Sequence, residues 1–257
     1  MMRPAMHAAL GLSLLASAAS GQSLRDRIDR VRDGDVLLRF TGRPGICGDG
    51  AHFIRVSRGS YMGNYMDGAS EARCAPGPVQ VRIHKVDGAV DRLDAWVGPV
   101  RQREGVDLGQ VPAPAAASYL LELAATAEGG ATRAILPAVL ADSAVVWPGL
   151  LEIARDTRTR SRSTRQDAAF WLSRFAASAL AGRPNQLLDS EGDDDATDLR
   201  RHAVFVLSQL PHGEAVPALL DAARTARDLP VRTAALFWLG QSGDTRALDL
   251  FEALLAK

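Results

Sequence analysis

The chain is poor in the residues that most often carry chemistry. Its 257 residues hold two cysteines and five histidines, with no C-x-x-C and no H-x-x-x-H spacing, which excludes the familiar zinc arrangements. Aromatic residues make up 5% of the chain, so any core must be built mainly from aliphatic side chains and alanine. Net charge is also missing, since 30 lysines and arginines balance 30 aspartates and glutamates. No global field then draws the chain to nucleic acid, anionic lipid or a polyanionic substrate, and a charge-driven partner must meet a local patch. The apolar run Ala8 to Leu15 is too short to cross a bilayer, and no other stretch is a candidate. Among His52, His84, His202 and His212 no Ser-His-Asp, paired-carboxylate or metal-ligand spacing emerges. The expectation is a non-enzymatic protein without catalytic residues, cofactor or metal.

What is present divides the chain into three parts. Residues 1–20 have the form of a signal peptide: Arg3 supplies the positive start, Ala8 to Leu15 the apolar stretch, and Ala16-Ser17-Ala18-Ala19-Ser20 the small residues of a cleavage site. The mature protein is expected to be periplasmic or secreted and not inserted in a membrane. An oxidising compartment favours joining Cys47 to Cys74 as a disulfide rather than leaving two thiols.

Residues 21–112 read as a small β-rich module. Val36 to Thr41 and His52 to Ser57 are short β-prone runs bounded by Gly-rich stretches, and Val79, Val81 and Ile83 alternate with polar residues before Asp87-Gly88. A three-residue loop at Asp87-Gly88-Ala89 sets Ile83 opposite Leu93, Val81 opposite Ala95 and Val79 opposite Val97. The same loop sets Arg82 against Asp94 and Lys85 against Asp91. The tract from Ser60 to Gly68 reads as a turn-rich surface loop, with a binding loop as the alternative because Tyr and Met suit adaptable contacts.

From residue 113 to 257 the pattern becomes helical and repeats. Trp147-Pro148-Gly149-Leu150-Leu151-Glu152-Ile153-Ala154-Arg155 matches Val216-Pro217-Ala218-Leu219-Leu220-Asp221-Ala222-Ala223-Arg224 after 69 residues. A second helix type interleaves: Ala168, Trp171 and Leu172 correspond to Ala203, Val206 and Leu207 after 35 residues, and these to Ala235, Trp238 and Leu239 after 32 more. Leu199, Ala203, Val206, Leu207 and Leu210 form one apolar stripe that neighbouring helices must cover. Trp171 and Trp238 are expected in the core, Pro137, Pro148 and Pro217 near helix starts, and Gly240 and Gly243 in the turn between the last two helices.

The segments Arg200-Arg201-His202-Ala203-Val204-Phe205-Val206-Leu207-Ser208-Gln209-Leu210 and Ala234-Ala235-Leu236-Phe237-Trp238-Leu239-Gly240-Gln241-Ser242-Gly243-Asp244 resemble HEAT repeats of the short, bacterial, phycobilisome-lyase-like type. The resemblance implies a mainly α protein whose C-terminal part is an α-α superhelix used as a binding scaffold for a protein partner, with repeat positions serving packing. Phycobilisome lyases supply the enzymatic alternative.

Two charge runs interrupt this half. Glu191, Asp193, Asp194, Asp195 and Asp198 suit a helix N-terminus and fail the calcium-loop pattern. Arg155, Arg158, Arg160, Arg162 and Arg165 crowd a link between helices, and Arg158, Arg160 and Arg162 are candidate partner contacts; nucleic-acid or polyanion binding there is the rival reading.

Overall fold

Alternation along Gly34–Phe40 produces strand β1, in which Val36, Leu38 and Phe40 are buried while Asp35, Leu37 and Arg39 line the opposite face. In this computed structural model the described residues are 24–57, 60–63, 74–126, 133–157, 161–180, 204–205, 208 and 212–256. The expected signal segment lies outside them. Strand β1 is central to a sheet of order β6-β5-β1-β7, with β5 at Val79–Val86, β6 at Ala89–Val97 and β7 at Val106–Gln110. It pairs antiparallel with β5 and parallel with β7. A second sheet of order β2-β3-β4 comprises Cys47–Gly48, Phe53–Ser57 and Ser60–Gly63. Ser60–Gly63 is thus a strand paired with β3 rather than loop, and 64–68 fall outside the described residues.

The β5–β6 hairpin keeps the expected facing pairs Val79 with Val97, Val81 with Ala95 and Ile83 with Leu93. Its loop differs. Val86 pairs directly with Ala89, so the connection is the two residues Asp87 and Gly88, whose φ angles of 52° and 83° suit a type I′ turn. The register is restored by a bulge: His84 faces Arg92 and Lys85 faces Val90, leaving Asp91 as the extra residue. Lys85 therefore never meets Asp91. Instead its ammonium, on a residue 2% exposed, donates to the Ile28 carbonyl at the end of helix α1, residues 24–29. Arg82 does meet Asp94, at 2.6 Å.

Further helices among the described residues are α2 Ala113–Thr126, α3 Ile135–Leu140, α4 Trp147–Arg155, α5 Arg162–Leu180, α6 His212–Thr225, α7 Leu229–Ser242 and α8 Thr245–Leu255, and Val204, Phe205 and Ser208 are helical as well. Helix α5 packs against α4, α7 and α8, and α6 packs against α7. Pro148 opens α4 as expected, whereas Pro217 lies inside α6, because that helix begins five residues earlier. Gly243 ends α7 with φ 69°, the left-handed cap that glycine adopts freely. Gly240 is not part of the turn. It lies within α7, where an added Cβ would sit 2.8 Å from the Ser173 Cβ and 3.0 Å from the Ala169 carbonyl oxygen, so its role is close approach to α5.

One apolar core runs through the sheet and the helices, from Ile28, Val36 and Phe40 to Leu140, Leu172 and Phe251. The seam between them is organised by residues just past β1. The Arg43 amide donates to the Leu140 carbonyl, the Asp142 amide donates to Thr41, and Gly42 bridges Ala141. The Arg43 side chain, on a residue 5% exposed, donates from Nε to Val139 O at 2.7 Å and from Nη2 to Ala144 O at 2.8 Å, and lies 5.1 Å from the Phe175 ring centroid. Burial pushes this guanidinium below its ordinary pKa, and Asp142 pushes the other way.

Candidate functional site

Burial follows the repeat register. Leu150, Leu151 and Ala154 of α4 and their counterparts Leu219, Leu220 and Ala223 of α6 are all buried, which makes both helices the same type of packing unit. In the other helix type, Ala168, Leu172, Ala235 and Leu239 are buried at the helix crossings. Trp171 is a core residue; Trp238 is half-buried and packs against the rings of Phe237 and Phe205, at 5.1 and 5.3 Å between centroids. Ala203, Val206 and Leu207 lie outside the described residues.

The same register carries a signal that spacing arguments centred on alanine and leucine pass over. Two residues after each of Ala168, Ala203 and Ala235 stands a phenylalanine: Phe170, Phe205 and Phe237. The residue before each one, Ala169, Val204 or Leu236, is buried, and the phenylalanine itself is less so. Phe170 and Phe237 are half-buried, with ring centroids 6.1 Å apart and edge-to-face, and Phe205 is 39% exposed. Aromatics at one repeated position thus form a row of ring contacts between neighbouring helices that stays partly exposed, a source of large, stiff contact area. A third column in the sequence alignment of the repeats would have found them.

The arginine run divides by position. Arg155, at the end of α4, is structural: its guanidinium donates to Asp249 and Glu252 of α8, both at 2.8 Å, and these hydrogen bonds raise its pKa. Arg158 and Arg160 lie outside the described residues. Arg162 begins α5, is exposed, and lines a crevice of about 310 Å³ with Arg165 and Gln166 on one wall and Ser242, Gly243 and Asp244 on the other. Asp244 caps α8 by accepting from the Arg246 amide and also holds the Arg246 guanidinium at 2.8 Å. The crevice is open, mixed in charge and adjacent to the helix crossings, which suits contact with a polar protein surface better than enclosure of a small substrate. The acidic run from Glu191 to Asp198 lies outside the described residues.

Cys47 and Cys74 are bonded, with their Cα atoms 5.2 Å apart, and join β2 to the segment that leads into β5. The adjoining Asp49 carboxylate accepts the backbone amides of Ala51, His52 and Phe53 and contacts the His52 ring. Burial raises its pKa, but these hydrogen bonds outweigh that and hold it well below the usual carboxylate range. Among the described residues no group of three His, Cys, Asp or Glu side chains is placed to hold a metal ion, and no helix is long and apolar enough to cross a membrane.

Residues 184–257 match the family model for HEAT repeats. No curated protein matches the chain, and no solved structure does. The match covers α6, α7 and α8, so the repeat identity of this C-terminal segment rests on both its sequence and its helix packing.

Proposed function

We propose that the chain is an exported HEAT-repeat scaffold that binds a protein partner in the cell envelope, acting by binding rather than turnover. The observation that carries this reading is the recurrence of phenylalanine at one repeat position, half-buried or exposed in each copy, on a stack whose other repeat positions are spent on packing. On this reading the helix pairs continue as an α-α superhelix. The Phe170, Phe237 and Phe205 row supplies the apolar centre of the interface, and the crevice at Arg162, with Arg158 and Arg160 beside it in sequence, supplies a polar rim. Export is supported by the form of residues 1–20 and by the Cys47–Cys74 disulfide, which persists in an oxidising compartment.

The test is crosslinking and pull-down from the native envelope fraction with the mature chain, its Phe205→Glu variant and its Arg162→Glu variant. A partner retained by the unaltered chain and lost with Phe205→Glu, with weaker retention by Arg162→Glu, is the expected result. Recovery of the same proteins with all three baits, or of none under several growth conditions, would overturn the proposal.

A further inference from the structure

The outer face of the four-stranded sheet carries a second feature, independent of the helical repeats. A groove of about 330 Å³ runs between Leu37, Arg39 and Asp107 on one side and Trp96, Val100, Arg101 and Arg103 on the other. Its floor includes Gln80, a polar residue only 4% exposed. The Gln80 amide nitrogen donates to the carbonyls of Gly98 and Pro99, and its oxygen accepts from the Arg101 amide and from the Arg103 guanidinium, at 3.4 and 3.2 Å. A buried amide with both ends engaged fixes what it holds. Arg103 is held further by the Gly50 carbonyl at 2.7 Å and by the face of Trp96, 3.8 Å from the guanidinium carbon, and Arg101 by the Asp49 carbonyl at 3.1 Å.

These two cations therefore have rigid supports but, among the described residues, no directly contacting carboxylate. Among the described residues neither Arg101 nor Arg103 makes an ion pair, whereas Arg39 pairs with Asp107 and Arg82 with Asp94. Glu104 follows Arg103 in the chain without forming an ion pair with either arginine, and Asp49, whose carbonyl holds Arg101, has its carboxylate turned to its own turn amides. Burial first, and then the neighbouring Arg82 and Arg101, push the Arg103 guanidinium below its ordinary pKa, and Asp94 offsets only part of this. Immobilised guanidinium forks are the usual recognition elements for carboxylate and phosphate.

We infer that this groove binds a carboxylate-bearing extended peptide, its acidic side chains on Arg101 and Arg103 and its apolar side chains on Leu37, Val100 and the edge of Trp96. Carboxylate is favoured over phosphate because the half-exposed Asp107 carboxylate lines the same groove and repels a polyanionic backbone, while a peptide can alternate single charges with apolar groups. The β2 loop that supplies the Asp49 and Gly50 carbonyls is anchored by the Cys47–Cys74 disulfide, so the same bond that staples the module also places the two arginines.

The experiment uses the mature chain and fluorescein-labelled ten-residue peptides of alternating glutamate and valine, or of glutamine and valine, read by fluorescence anisotropy. The glutamate peptide should bind, with affinity falling as salt rises, and the glutamine peptide should bind at least about tenfold more weakly. Arg101→Glu, an exposed position whose fold is checked by circular dichroism, should weaken the glutamate peptide by a similar factor, and Arg103→Lys should weaken it less. Phe205→Glu should leave it unchanged, which separates this groove from the proposed repeat interface. Equal binding of both peptides, no effect of Arg101→Glu, no binding at all, or preferential binding of pyrophosphate or a single-stranded oligonucleotide would each overturn the inference.

Discussion

Replacing Arg43 is the sharpest probe of how the β module and the helical half are joined. The guanidinium makes two hydrogen bonds, 2.7 and 2.8 Å long, to Val139 O and Ala144 O. Both acceptors belong to the segment around the end of α3, and their donor is 5% exposed. In Arg43→Ala both carbonyls lose that donor, at about 1–3 kcal/mol each, and the stacking on Phe175 goes too. The guanidinium's own burial cost is relieved at the same time, and water entering the space offsets part of the loss. A net destabilisation of about 3–4 kcal/mol follows. In a protein of this size that lowers the melting temperature by roughly 6–16 °C. Arg43→Lys should fall between, because an ammonium keeps the charge but loses the planar fork that spans two acceptors and lies over the Phe175 ring. Urea unfolding, followed by circular dichroism and by tryptophan fluorescence, measures this as a fall in midpoint at constant slope. A loss under 1 kcal/mol for Arg43→Ala would refute the account of the seam, as would two separate transitions in the unaltered chain.

Two further outcomes follow from the packing. Gly240→Ala gains about 1 kcal/mol of helix propensity but places a methyl 2.8 Å from the Ser173 Cβ, so thermal melts should show a net loss of about 1–2 kcal/mol; an increase in melting temperature would show that α7 and α5 separate at little cost. Replacing both Cys47 and Cys74 by serine should cost about 2–4 kcal/mol, and a reducing agent should bring the melting temperature of the unaltered chain down to that of the double variant; no change in either would mean that the bond constrains little of the unfolded chain.

The sequence made the hairpin register legible, because apolar residues facing apolar residues select Val79 with Val97 and Ile83 with Leu93 whatever the loop does. It misjudged the loop, because a bulge at Asp91 has the same effect on register as one more turn residue, and nothing in Val90-Asp91-Arg92 advertises a bulge. Strand β7 was missed for a different reason. Val106-Asp107-Leu108-Gly109-Gln110 is a short, largely exposed edge strand, and it gains its identity from pairing with β1. Gly240 looked like a turn residue because glycine next to a helix end usually is one, and only the neighbouring helix reveals the close approach. In the helical half, packing positions were readable through their repetition, while Phe170, Phe205 and Phe237 were overlooked although they repeat in the same register. Arg43 was invisible, since its acceptors lie about a hundred residues further along the chain.

That distance has a consequence for the order in which the molecule can assemble. Strand β1 can pair with β5 once Val86 is available, but its β7 edge must wait for Gln110 and its far end for Ala144. Loop closure over 101 residues is among the slower steps available to a chain of this size, so the β5–β6 hairpin and individual helix pairs should form early and the seam late. Until the seam closes, the Val139 and Ala144 carbonyls lack their buried Arg43 donor, and the newly made chain should pass through a stage in which its N-terminal strands are formed but not yet joined to the helical half.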